Sequence, residues 1–136
     1  MAIEDYRSLR VKRIGGDVEE EVVFAVNGFE LVCFASNPPA NLEEGEAYSV
    51  MFNLLVLDDF NVTVLNDSKE SSLERLGDSF SYKITGRLID GCLHSCGFEF
   101  KDEALETEFE YLNGKTIAIQ VDRINVRFLK KHMGHP

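Results

Sequence analysis

Cysteine is scarce in this 136-residue chain, with Cys33, Cys92 and Cys96 as its only thiols. An odd and small number of thiols excludes a disulfide-stapled scaffold. No positively charged leader with an apolar core precedes Ile3 to Val11, so a reducing cytoplasm is the expected location. Long apolar runs are missing too. A stretch such as Leu54 to Leu57 falls far short of the roughly 20 residues that a membrane helix requires, and no bilayer span is expected.

Catalytic signatures are equally sparse. There is no Gly-x-Ser-x-Gly elbow, no phosphate-cradling glycine loop and no EF-hand spacing, and His94 is the only histidine outside the C-terminal tail. Gly15-Gly16-Asp17 reads as a turn. The chain is therefore expected to be no enzyme and to carry no cofactor.

Basic residues are few in the body of the chain. Residues 15–122 hold 6 Lys or Arg against 22 Asp or Glu, while the two ends are net basic, within a total of −10. A body of that sign repels polyanions, because affinity for phosphates grows with the number of cationic contacts. At 136 residues the chain is one domain, expected over residues 1–129, long enough to bury about two thirds of its unfolded surface and followed by a flexible tail at 130–136.

What the sequence does have is alternation. Val, Ile, Phe, Leu and Tyr recur at period two between short turn signals, the pattern of an all-β protein. The expected fold is a barrel or sandwich of about eight or nine antiparallel strands. Tyr6 to Arg13 alternates Leu9 and Val11 with Arg10 and Lys12. In "EEVVFAVNGFELVCFA", Asn27-Gly28 is a strong hairpin turn, since both central residues need positive φ. It sets Val26 opposite Phe29, Phe24 opposite Leu31 and Val22 opposite Cys33. Tyr48 to Leu57 forms another strand, with Tyr48, Val50, Phe52, Leu54 and Val56 on one face and Asp58-Asp59 at the turn. Asp67 and Glu70 have the spacing of a capping box and Gly77 can end a helix, so a short helix is expected near 68–76. Residues 105–112 read as a strand with Glu106, Glu108 and Glu110 outward against Leu105, Phe109 and Tyr111, and Asn113-Gly114 as a further hairpin turn. The expected core is Val22, Phe24, Leu31, Cys33, Val50, Phe52, Leu54, Ile84, Cys96, Phe98, Ile119, Val126 and Phe128.

The stretch "GCLHSCGFEF" places Cys92, His94 and Cys96 two residues apart. A three-residue connection at Asp90-Gly91-Cys92 would pair Ile84 with Phe98, Tyr82 with Phe100 and Lys83 with Glu99, keeping the apolar face intact. Cys96 and His94 then point inward and Cys92 lies in the turn. The three, completed by Cys33, are candidate soft ligands, but the spacing is not Cys-x-x-Cys, and the reading adopted is metal-free, inert cysteines, with Cys92 the most reactive. A thiolate pair of Cys96 with His94 is set against the simpler reading of core side chains. Two echoes, "GFEL" at 28–31 with "GFEF" at 97–100 and "DDFNV" at 58–62 with "DRINV" at 122–126, suggest two duplicated β units, at 22–64 and 82–128.

Three surfaces follow. The acidic positions Asp58, Asp59, Glu106, Glu108 and Glu110 are expected to engage a basic protein partner, making the chain a non-enzymatic binding module. Met51, Leu55 and Leu57 give one strand a second apolar face, which suits a homodimer. Arg10, Lys12, Arg123 and Arg127, with Arg7, Arg13, Lys130 and Lys131, would form a basic stripe for nucleic acid or a small anionic ligand if the first and last strands were neighbours. Against nucleic acid, no surface aromatics are interleaved with them for base stacking.

Overall fold

The computed structural model describes residues 7–15 and 18–131. The expected start of the first strand at Tyr6, the Gly16-Asp17 part of the first turn and tail residues 132–136, with His132 and His135, lie outside the described residues. So do the side chains of Arg7, Lys130 and Lys131.

Eleven strands form one sheet: β1 (Arg7–Ile14), β2 (Glu21–Val26), β3 (Phe29–Phe34), β4 (Ala47–Leu55), β5 (Val62–Leu65), β6 (Ser72–Arg75), β7 (Tyr82–Ile89), β8 (Cys92–Ser95), β9 (Phe98–Lys101), β10 (Thr116–Val121) and β11 (Arg123–Lys131). The order is β1-β2-β3-β11-β4-β9-β8-β7-β10-β5, with β6 also on β7. Because β1 pairs with β4 as well, β1, β2, β3, β11 and β4 close into a five-stranded barrel. The protein is all-β, as its alternation implies, with eleven strands among the described residues where eight or nine were expected. The pairing is not wholly antiparallel: β3 with β11 and β4 with β9 run parallel, because these neighbours are far apart in the chain and no tight turn dictates their direction.

About the β11–β4 pair this order is symmetric. On one side stand β3, β2 and β1, and on the other β9, β8 and β7. Each three-strand run is an antiparallel meander, and its inner strand pairs in parallel with one strand of the central pair, β3 with β11 and β9 with β4. Asn125 and Asn53 are register partners in the β11–β4 ladder.

Around Asn27-Gly28 the pairing of β2 with β3 follows the expected register, with φ of 50° and 85° at the two turn residues. In the second meander the expected register is wrong. The chain reverses twice, at Asp90-Gly91 (φ 50°, 78°) and at Cys96-Gly97 (φ 53°, 88°), both two-residue turns. Ile89 therefore faces Cys92, Leu88 faces Leu93 and Arg87 faces His94, while His94 faces Glu99 and Leu93 faces Phe100. Lys83 lies opposite Glu74 of β6, not Glu99. Both turns suit the right-handed twist of the strands, and Leu93, Phe98 and Phe100 still enter the core.

Two further expectations are corrected. No helix forms near 68–76. Asn66 Oδ1 accepts from the Ser68 N–H at 2.9 Å and starts a turn, and Ser72–Arg75 is a strand whose Leu73 sits opposite Ile84. Conversely, 105–112 is not a strand. Asp102 caps a helical turn, α1 (Glu103–Glu106), its Oδ2 accepting from the Ala104 N–H at 2.9 Å, and a 3-10 turn follows at Glu110–Leu112. The inward residues Leu105, Phe109 and Leu112 have helical spacing, and Tyr111, expected inward, is 75% exposed. Gly114 (φ 88°) then turns the chain into β10 without making a hairpin.

The core holds the expected residues except Cys96, which sits half-exposed in its turn, and Phe128, which is half-buried. Phe52 joins the two sides. Its ring lies 5.4 Å from Phe24, and 5.9 Å from both Phe98 and Phe100. Tyr82 adds a polar tie, its hydroxyl accepting from the Val32 N–H at 2.9 Å, and burial raises the Tyr82 pKa.

Candidate functional site

The β4–β5 loop and the helical segment after β9 are brought together by Phe60 and Phe109, whose ring centroids are 5.8 Å apart. Residues 56–61 and 102–112 contain seven carboxylates and no Lys or Arg. Asp58, Asp59, Glu103, Glu106, Glu108 and Glu110 are exposed, and Asp58 and Asp59 share a shallow recess with Asp122, whose Oδ2 accepts from the Leu57 N–H at 2.8 Å. Asp102 behind them is part-buried, and that burial raises its pKa. Two large apolar side chains project from the same two segments, Leu57 at 73% exposure and Tyr111 at 75%. The structure thus places all five acidic positions of the sequence reading on adjoining segments and adds Tyr111.

The apolar face behaves differently from its expectation in detail. Met51 and Leu55 are half-buried, and Met51 Sδ accepts from Arg127 Nη2 at 3.4 Å, so Leu57 alone of the three stands well clear of the surface.

The first and last strands are not neighbours, since β4 lies between β1 and β11. The cations on them are engaged. Arg10 donates to the Gly45 carbonyl, Lys12 pairs with Glu30, Arg13 is 3.6 Å from the buried Glu21, and the Arg123 guanidinium stacks 3.9 Å over the Phe34 ring while donating to Asn125. The Lys12 hydrogen bond lowers the Glu30 pKa.

The cysteines exchange the roles expected for them. Cys92 is a buried strand residue at 7% exposure, and Cys96 is the turn residue, its Sγ 3.8 Å from Ser71 Oγ. Cys33 is fully buried, and burial raises its thiol pKa well above the ordinary value, as suits an inert core thiol. Neither Cys33 nor Cys96 joins the group that forms around His94. Instead one donor atom each from Cys92, His94 and Glu99 lies within 4.8 Å of the others. Glu99 was missed in the sequence because the longer connection set it opposite Lys83. The signal was present in the echo of "GFEL" and "GFEF", which aligns Cys96-Gly97 with the Asn27-Gly28 turn and so brings Glu99 across from His94.

Among the described residues no helix is long and apolar enough to cross a membrane. Over residues 6–129 the chain matches the family described as Uncharacterised conserved protein UCP019853, and it belongs to that family. No curated protein and no solved structure matches it.

Proposed function

We propose that this family member is a non-enzymatic binding module that recognises a basic protein through the face built by the β4–β5 loop and the α1 segment. The observation that carries the reading is the Phe60–Phe109 contact, which joins two separate stretches of carboxylates into one surface. Its composition is that of a docking site: exposed apolar anchors, Leu57 and Tyr111, within a rim of single-signed charge. The rim steers and orients a cationic partner, and the anchors supply burial once contact is made. The engagement of Lys12, Arg13 and Arg123 within the protein weighs against the alternative, a basic stripe for nucleic acid or a small anionic ligand.

The test is retention of basic proteins from native lysate by the wild type and by a variant carrying Glu106→Lys, Glu108→Lys and Glu110→Lys, at low and high salt. A basic protein held by the wild type, released by salt and lost by the variant supports the reading. Retention of no basic protein, or retention indifferent to the three reversals, removes it.

A further inference from the structure

We propose that Cys92, His94 and Glu99 bind a single zinc ion. Cys92 and His94 are two apart on β8, so their side chains leave the same face, and Glu99 of β9 stands directly opposite His94. The donor atoms already lie within 4.8 Å of one another. A tetrahedral zinc with bonds of about 2.0–2.3 Å needs donors about 3.4–3.7 Å apart, so a rotamer-scale contraction of about 1 Å closes the site. Thiolate and imidazole donors select zinc over calcium or magnesium, which take oxygen ligands. Three protein ligands leave a fourth position, and because His94 and Glu99 are only half-buried it opens to solvent.

The scaffold is rigid where the ligands sit. Two-residue turns bound β8 at both ends. The Gly91 N–H donates to Asn113 Oδ1 at 3.0 Å, Ser95 Oγ donates to the Thr85 carbonyl at 2.7 Å, and a Cβ on Gly86 would lie 2.1 Å from the His94 carbonyl oxygen. Lys101 lies opposite Cys92 and Arg87 opposite His94, but Arg87 Nη1 is directed to the Gly114 carbonyl at 3.1 Å. Charge balances on binding: the Cys92 thiol loses its proton to solvent, and the thiolate and the Glu99 carboxylate together neutralise the dication.

The fold does not demand these donors. The β2–β3 hairpin has the same kind of turn and the same register, and there the corresponding positions are Val23, Ala25 and Glu30, with Glu30 paired to Lys12. Val and Ala suffice to build the hairpin, so the thiol and imidazole of the second copy need another reason.

The test is titration of the untagged, chelator-treated full chain with cobalt(II) and then zinc at neutral pH. The expected result is one equivalent of cobalt with a thiolate-to-cobalt charge-transfer band, displaced by zinc, and one proton released per ion. Glu99→Gln, at a half-buried position, should weaken binding by at least about tenfold, and Cys92→Val with His94→Ala should abolish it with the far-UV spectrum unchanged. Cys96→Ser should bind as the wild type does. Absence of a stoichiometric band in the wild type, binding unaffected by Glu99→Gln or by the double change, or binding lost in Cys96→Ser would overturn the site.

Discussion

The β2–β3 and β8–β9 hairpins are built on one plan and filled differently. Both reverse through two residues of positive φ, and both occupy the second and third places of a meander flanking the central β11–β4 pair; after the turn Phe98 of the second is buried whereas Phe29 of the first is exposed. The first is closed against β1 and the barrel, with Val23 fully buried. The second opens onto a half-exposed face where Cys92, His94 and Glu99 meet. The lesson is that the common frame tolerates apolar residues at these positions, and the donor atoms are an addition to it. The same contrast holds at larger scale. One side of the sheet closes on itself, whereas the other carries the extra strands β5, β6 and β10 and the acidic α1 segment. That asymmetry puts both candidate surfaces on the second side and its adjoining loop.

The two sides share one core, and breaking the joint between them should cost most. Phe52→Ala removes a ring in contact with Phe24 on one side and with Phe98 and Phe100 on the other, and should lower stability by about 3–5 kcal/mol in urea unfolding. If the sides were independent, the transition would split into two steps instead of shifting as one. Next comes Gly86→Ala. The added methyl would meet the His94 carbonyl carbon and oxygen, which are backbone and cannot rotate away, so a loss of about 3 kcal/mol is expected, together with displacement of β8. A loss within about 0.5 kcal/mol would show that β8 moves freely and would remove the rigidity argued for its ligands.

The smallest effect concerns Asp102, the cap of α1. Its pKa is raised above the ordinary value chiefly by burial, against a favourable bond from the Ala104 N–H. A folded pKa above the unfolded one means that the folded state binds the proton more tightly, so this group favours folding as pH falls and penalises it once the pH exceeds the folded value. Asp102→Asn keeps an equivalent cap and deletes the charge. The wild type should therefore gain stability relative to this variant as pH falls from neutral toward the ordinary Asp range. A difference that stays flat, or runs in the variant's favour, contradicts the assignment.

How much of this was legible in the sequence differs between the two sides for a physical reason. Asn27-Gly28 announces its turn, because Asn tolerates positive φ, and the whole β2–β3 register follows from it. Cys96-Gly97 makes the same turn with a residue that rarely adopts positive φ, so the alternation of the neighbouring strands was continued through it and Cys92 and Cys96 exchanged places. The segment 105–112 satisfies both periods at once, with Leu105 and Phe109 compatible with either, and only Leu112 against Tyr111 separates helix from strand. The Asp67–Glu70 spacing imitates a capping box, yet the Asx turn at Asn66 precedes it and Ser72–Arg75 pair with β7. The acidic positions were legible as composition. That Phe60 and Phe109 would join them was not, since the contact spans two loops that no local pattern connects.

The difference between the hairpins can be tested in one experiment: thermal unfolding of the wild type and of Cys92→Val with His94→Ala, each with and without zinc. Without zinc the two should melt within a few degrees of each other, because the variant carries the residues that the β2–β3 hairpin already uses at these positions; with zinc only the wild type should rise, and the rise should grow with zinc concentration. Equal rises in both proteins, no rise in either, or a variant that cannot fold without the original residues would contradict the account.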